Sequence, residues 1–269
     1  MTARHRATIL GCGASPGVPR IGNDWGACDP NEPRNRRTRC SLLLERFADG
    51  ARPTRVLIDT SPDMRAQLLA ADVDWIDAVV YTHAHADHVH GIDDLRAFWL
   101  QAKKRVPVYG DDPTVDHLLH AFAYCFTRSA SGLYPAILEH HRIRSGTPLT
   151  IDGAGGPLTL MPFRQVHGDI DTLGVRVGSL AYSCDVSDVP PESLPRLADL
   201  DIWILDALRH TPHPSHLSVA DATAWVDRLK PRRAIFTHMH GDLDYAALKR
   251  SLPPTIEPAY DGMTLDFEA

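Results

Sequence analysis

Thr82-His-Ala-His-Ala-Asp-His-Val-His-Gly91 is the stretch whose reading decides the fold. The residues before it, Trp75-Ile-Asp-Ala-Val-Val-Tyr81, are rich in β-branched and aromatic side chains and read as a buried strand. Those after it, Ile92-Asp-Asp-Leu-Arg-Ala-Phe-Trp-Leu100, carry helical periodicity. A polar cluster at a strand-to-helix junction sits where α/β proteins keep their chemistry. His83, His85, Asp87 and His88 fall within six residues, and imidazole and carboxylate are the ligands that borderline divalent metals prefer. Such a loop can turn His83 and His85 toward one ion and Asp87 and His88 toward a second. A merely solvated His-rich turn would build up repelling charge below about pH 6.5, and it would have no reason to abut a buried strand.

The pattern recurs downstream. Leu158 to Val166 reads as a strand and ends in His167; Ser179 to Cys184 runs into Asp185; Arg233 to Thr237 runs into His238-Met-His240. Neighbouring strand residues face opposite ways, so Cys184 belongs to the core if Asp185 faces the site. Of His238 and His240, one is expected to face the site. Upstream, Cys40 to Phe47 and Arg55 to Asp59 read as a strand pair. Strands and helices thus alternate in two runs, each opening on paired strands. The pattern predicts an α/β (α+β) fold, a four-layer αββα sandwich of two half-repeats. With no linker, repeat array or low-complexity stretch, residues 1–269 read as one domain.

Composition narrows the function classes. A hydrophobic content of 43% with 23% charged residues suits a globular chain with a real core. The net charge of −6 provides no global basic field for long nucleic acid; the run Arg34-Asn-Arg-Arg-Thr-Arg39 reads as a solvated loop, with help in holding a phosphate as the alternative. Five cysteines, at 12, 28, 40, 125 and 184, form no Cys-x-x-Cys pair and suit reduced thiols. There is no apolar run of about 18 residues, and Met-Thr-Ala-Arg-His-Arg lacks the apolar part of a secretion signal. A cytoplasmic protein with no membrane partner is expected.

His83-x-His85-x-Asp87-His88 resembles the H-x-H-x-D-H signature of the metallo-β-lactamase superfamily. From Ile9-Leu-Gly-Cys-Gly13 to His240 the chain is similar to the superfamily's phosphoribosyl 1,2-cyclic phosphodiesterase and tRNase Z branch. The resemblance implies two divalent ions, zinc or manganese. His83, His85 and His167 would hold one, Asp87, His88 and His240 the other, and Asp185 would bridge them. His240 is preferred to His238 because Gly241-Asp-Leu-Asp244 fits the family's final ligand position better. Asp59 would fix the tautomer of a ligating histidine. The related enzymes also hold a structural zinc with a Cys-x-Cys-x-x-Cys cluster and a later histidine. Here Asn23 and Trp25 replace two of those cysteines, only Cys28 remains, and Leu243 stands for the histidine. No structural zinc is expected.

The last cluster is His210-Thr-Pro-His-Pro-Ser-His-Leu-Ser218. His216 matches a histidine that, in the phosphodiesterases, reaches over the metals to the phosphate. An imidazole with a free pKa of about 6.5 suits a general acid. His213 and Ser218 are further substrate contacts, Ser218 also being able to cap the next helix, and Asp87 helps orient the attacking water. The implied activity is hydrolysis of a small cyclic phosphate or nucleotide-like diester, of the phosphoribosyl 1,2-cyclic phosphate type, by a metal-bridging hydroxide. A thioester or lactone hydrolase, a tRNase Z-like nuclease and a nucleotide-binding protein without turnover are the rivals. The nuclease would need a protruding arm and a basic surface, and neither is visible. The partners implied are a small phosphate ester or nucleotide and, by resemblance only, a second copy in a homodimer.

Overall fold

Period-two sorting of side chains builds the layers. In Ser41-Leu-Leu-Leu-Glu-Arg-Phe47, Leu42 and Leu44 enter one core while Leu43 enters another. Val56 and Ile58 part from Leu57 in the same way, and Ala78 and Val80 from Val79. In Ile202-Trp-Ile-Leu-Asp206, Ile202 and Ile204 join the first of these cores, and Trp203 and Leu205 a third. Strands buried on both faces need a sheet partner on one side and helices on the other.

The computed structural model describes residues 4–269; residues 1–3, which open the segment read for a targeting signal, lie outside the described residues. The first sheet takes β1 (Arg4–Gly11), β2 (Ser41–Phe47), β3 (Thr54–Ile58), β4 (Ala78–Val80), β5 (Val106–Gly110) and β6 (Leu138–Arg142). The second takes β7 (Leu149–Ile151), β8 (Leu158–His167), β9 (Ile170–Val177), β10 (Leu180–Ser183), β11 (Ile202–Asp206), β12 (Arg233–Thr237) and β13 (Ile256–Pro258). The chain then returns as β14 (Met263–Phe267) to pair with β1. The orders are β14-β1-β2-β3-β4-β5-β6 and β13-β12-β11-β10-β9-β8-β7. Pairing is antiparallel through β1, β2 and β3 and parallel from β3 to β6; it is likewise antiparallel from β7 to β10 and parallel from β10 to β13. Two half-repeats and four layers emerge, as the alternation predicts.

The helices are α1 (Met64–Ala70), α2 (Ala86–Val89), α3 (Arg96–Ala102), α4 (Asp112–Ala121), α5 (Ala123–Phe126), α6 (Val219–Leu229) and α7 (Tyr245–Ser251). The helical stretch after the histidine motif is interrupted: α2 gives way to a 3-10 turn at Ile92–Leu95 before α3. At the break, Gly91 donates its N–H to Thr60 O at 2.9 Å, and a side chain there would collide with Ser61 O. This close approach presses α2 onto the segment that carries Asp59. Among the described residues no helix is long and apolar enough to cross a membrane.

The ends of β3, β4, β8, β10, β11 and β12 lie on one edge of the sandwich, and the long loop between β1 and β2 packs beside them. Arg37 ties that loop down, so the Arg34–Arg39 run is not the solvated loop that the sequence suggests. Arg37 is 1% exposed, and its guanidinium donates to Leu243 O at 2.6 Å, His240 O at 3.2 Å and Asn35 Oδ1 at 3.4 Å. Cys28 lies in the same knot, its thiol 3.4 Å from both Gly241 O and Leu243 O. A buried cation there satisfies carbonyls that would otherwise be orphaned. Arg37→Met should therefore destabilise the fold by about 2–4 kcal/mol in urea unfolding. A loss under about 0.5 kcal/mol, the size of an ordinary surface change, would show that the loop is held by other contacts.

Candidate metal centre

Three residues of this edge adopt left-handed backbone conformations: Asp59 (φ 62°), Asp185 (φ 52°) and His238 (φ 56°). Each lies just past a strand end and costs about 1–3 kcal/mol in a non-glycine residue. At those turns the strand stops alternating, and the side chain swings over the edge of the sheet.

Asp185 lies at the middle, 2% exposed. Its Oδ2 is 3.7 Å from His83 Nε2 and 3.7 Å from His167 Nε2. Its Oδ1 is 3.2 Å from His88 Nε2 and 3.2 Å from His238 Nε2. Asp87 Oδ2 joins the second pair, 3.5 Å from His88 Nε2 and 3.8 Å from His238 Nε2. His85 completes the first group: one donor atom each from His83, His85, His167 and Asp185 lies within 4.8 Å of the others. His88, Cys184, Asp185 and His238 form a second such group. The structure thus brings together His83, His85, Asp87, His88, His167 and Asp185.

It does not bring His240. That side chain turns to Asp242, its Nδ1 3.3 Å from Oδ2, and His238 stands in the second group instead. Alternation cannot choose between these residues, because positions i and i+2 of a strand share a face. The choice is made by the left-handed turn at His238, which ends β12 and aims the first histidine inward. Ser218 is also corrected. Its Oγ donates to Asp221 Oδ2 at 2.5 Å and accepts from Asp221 N at 3.2 Å, so this buried hydroxyl is consumed by the capping box of α6 and is not free for substrate. Cys184 is fully buried, but its Sγ is 3.0 Å from Asp185 Oδ1 and so borders the second group from behind.

Partners on the far nitrogens fix the rings. Asp59 Oδ2 holds His88 Nδ1 at 2.8 Å, and the Asp59 carboxylate also takes the Thr82 hydroxyl and N–H, each at 2.8 Å. Thr82 Oγ1 lies 3.0 Å from His83 Nδ1, and Ser215 O 2.6 Å from His167 Nδ1. Each contact leaves Nε2 directed at the centre, as in histidine metal sites. His216 Nδ1 is 2.7 Å from Asp206 Oδ2, while Asp206 Oδ1 is 3.9 Å from His238 Nδ1. The His216 ring stacks on His238 at 4.6 Å and meets His167 edge-on at 4.6 Å. His213 is 5.2 Å from His216, its Nδ1 taken up by Ser215. Sequence reasoning passes over Asp206 and Thr82. For Asp206 a signal exists, since an apolar strand ending in a carboxylate is the pattern already seen at Asp59 and Asp185.

The site fits divalent ions on its own chemistry. His83 Nε2, His88 Nε2, His238 Nε2 and Asp87 Oδ2 are buried without a hydrogen-bond partner, an arrangement costly unless something fills the gap. Burial, then the charge of His88, holds His83 well below the usual imidazole range. Burial also works against the charged forms of His88 and His238, but Asp185 and then further carboxylate contacts outweigh it; His88 lies well above that range and His238 is pushed up to about 10. Asp185 and Asp87 sit below the carboxylate range, because neighbouring histidines overcome the effect of burial. Protons and metal ions therefore compete for the same nitrogens.

Fold and centre together define a metallo-β-lactamase-type protein. The chain matches the β-lactamase superfamily domain over residues 54–239, and it belongs to that superfamily. It is 38% identical to a diphosphatase of the PhnP family whose crystal structure superposes with a TM-score of 0.87, covering 98% of this chain and 97% of that one. It is 32% identical over 264 residues to the octanoyltransferase of Porphyromonas gingivalis, covering 96% of this chain but 51% of that protein; the chain thus spans about half of that relative's length. A coenzyme PQQ synthesis protein B of Xanthomonas oryzae is 28% identical over 253 residues, 82% of this chain and 74% of that protein.

Two outcomes test the geometry. His238→Ala should lower the bound metal measured by elemental analysis, whereas His240→Ala should leave it unchanged; the reverse result would reinstate His240. Since His88 and His238 are raised, they hold protons at neutral pH that a metal must displace, so affinity falls as pH falls. Chelator competition should show weaker metal binding at pH 6 than at pH 8, by about tenfold per unit for each displaced proton. An affinity that does not vary with pH would count against this protonation state.

Proposed function

We propose that this protein is a two-metal phosphodiesterase acting on small cyclic phosphates or nucleotide-like diesters. The observation that carries the reading is the Asp206–His216 pair, set beside one histidine of each half of the centre. His83, His85, His167 and Asp185 would hold one ion; Asp87, His88, His238 and Asp185 the other. Divalent ions bound there supply Lewis acidity toward a phosphoryl group and make water nucleophilic near neutral pH.

The remaining work falls to side chains of this protein. Asp59, Thr82 and the Ser215 carbonyl fix His88, His83 and His167, so that the site is preorganised before substrate arrives. Asp206 holds His216 by Nδ1, leaving Nε2 free to serve as the proton donor to the departing oxygen. His213, packed against His216, extends the same donor face toward a phosphate. Asp87, on the second group, would orient the attacking water. A small phosphate ester or nucleotide is the proposed partner, zinc or manganese the proposed metal, the cytoplasm the proposed compartment and a homodimer the proposed assembly.

Likeness to a diphosphatase of 38% identity supports phosphoryl chemistry and raises a second reading, cleavage of a phosphoanhydride by the same residues. A thioester hydrolase needs no proton donor matched to a phosphorane, which is why His216 separates the classes. Metal-loaded protein should hydrolyse a nucleoside 2′,3′-cyclic phosphate, whose alkoxide leaving group needs a proton, and His216→Ala should cut that rate by about 10²–10⁴-fold with metal content unchanged. A thioester activity insensitive to His216→Ala, without diester turnover, would replace the proposal.

A further inference from the structure

At the end of the sandwich away from the metal centre, β1, β2, β8 and β9 border a cleft of about 500 Å³. Its wall contains His5, Arg46, Arg176 and Arg196, with Pro157, Leu158 and Met161 among the apolar members. β8 runs from this cleft to His167, which separates the two places by roughly 20–30 Å at about 3.3 Å per residue.

The cations are built in. Arg176 Nε donates to Gly178 O at 2.8 Å, and its Nη1 to Arg196 O at 2.9 Å and Ala198 O at 2.8 Å. Arg46 Nη1 donates to Gly155 O at 2.7 Å. It passes close over Gly156, whose left-handed backbone (φ 92°) favours glycine. Neutral carbonyls fix these forks without cancelling their charge. Among the described residues none of the three guanidiniums is within ion-pair distance of a carboxylate; no Asp or Glu lines the cleft, and Ala269, the last residue of the sequence, also borders it, so three arginines face at most one carboxylate there. His5, the cross-strand partner of Arg46, is 4% exposed, and its Nδ1 is buried without a hydrogen-bond partner. Burial lowers the pKa of Arg176; Asp199 opposes that effect and Arg196 adds to it.

Like charges fixed around one concavity repel each other until an anion arrives; the Arg196 guanidinium can match phosphate oxygens two at a time, and Arg46 and Arg176 add charge and the N–H groups that the carbonyls leave free. We propose that this cleft is a binding site for a small, multiply charged phosphate anion of the diphosphate class, separate from the metal centre. Its volume suits a small ligand and not a polymer. This inference does not depend on the proposed catalytic activity.

The test is calorimetric titration of the metal-loaded protein with sodium pyrophosphate, in the wild type and in His238→Ala, Arg196→Ala and Arg46→Ala variants. Pyrophosphate that binds at the metal centre is weakened in His238→Ala, which removes a ligand of the second group, and is unaffected by Arg196→Ala. A binding event retained in His238→Ala and weakened at least about tenfold, 1.4 kcal/mol, in Arg196→Ala supports the site. Arg196 ties down no other part of the fold through its guanidinium, so its variant stands even if Arg46→Ala fails to fold. Binding by His238→Ala that is as tight in combination with Arg196→Ala, or no heat from His238→Ala up to about 10 mM, overturns it.

Discussion

The Asp185 carboxylate is the interaction on which this structure depends. Its two oxygens each face a histidine pair, and each pair draws one member from either half-repeat: His83 with His167, and His88 with His238. The half-repeats therefore meet at one side chain. A carboxylate with 2% exposure cannot stay charged there without those imidazoles, and the imidazoles cannot remain unpartnered without a charge or an ion between them. Strain at Asp59, Asp185 and His238, about 1–3 kcal/mol each, is the cost of turning three strand ends toward a common point.

Around that carboxylate the structure places a ring of groups that decide which histidine nitrogen faces inward. Asp59 serves His88 and, through Thr82, His83; a backbone carbonyl serves His167. Asp206 has two neighbours, His216 at 2.7 Å and His238 at 3.9 Å, and so links the proposed proton donor to the proposed metal cradle. Arg37 adds a mechanical tie by holding the carbonyls of His240 and Leu243, a few residues past His238. The loop between β1 and β2 is thereby anchored against the same edge that carries the centre.

The chain divides its chemistry between two ends. Deep acids and histidines, mutually neutralising, occupy one edge; an excess of arginines and a half-satisfied histidine occupy the cleft at the other. Both depend on strands long enough to separate them and on turns that spare backbone carbonyls or bend side chains inward. Apolar alternation within those strands supplies the rigidity that keeps either set in place.

Much of this was determined by sequence alone. The spacing in His83-x-His85-x-Asp87-His88 and the recurrence of strands ending in His167 and Asp185 carry the centre, because a strand end fixes where the next residue emerges. Period-two sorting of Leu42, Leu43 and Leu44 carries the layers, because it reflects burial on two faces. Tertiary structure alone decided between His238 and His240, since a single left-handed φ, not strand parity, aims the ligand. It also diverted Ser218 into a helix cap and brought Asp206 to His216, a pairing that requires a loop to fold back on its own strand. The arginine cleft was equally invisible: Arg46, Arg176 and Arg196 are far apart in the chain, and only the packing of separate strands sums their charge.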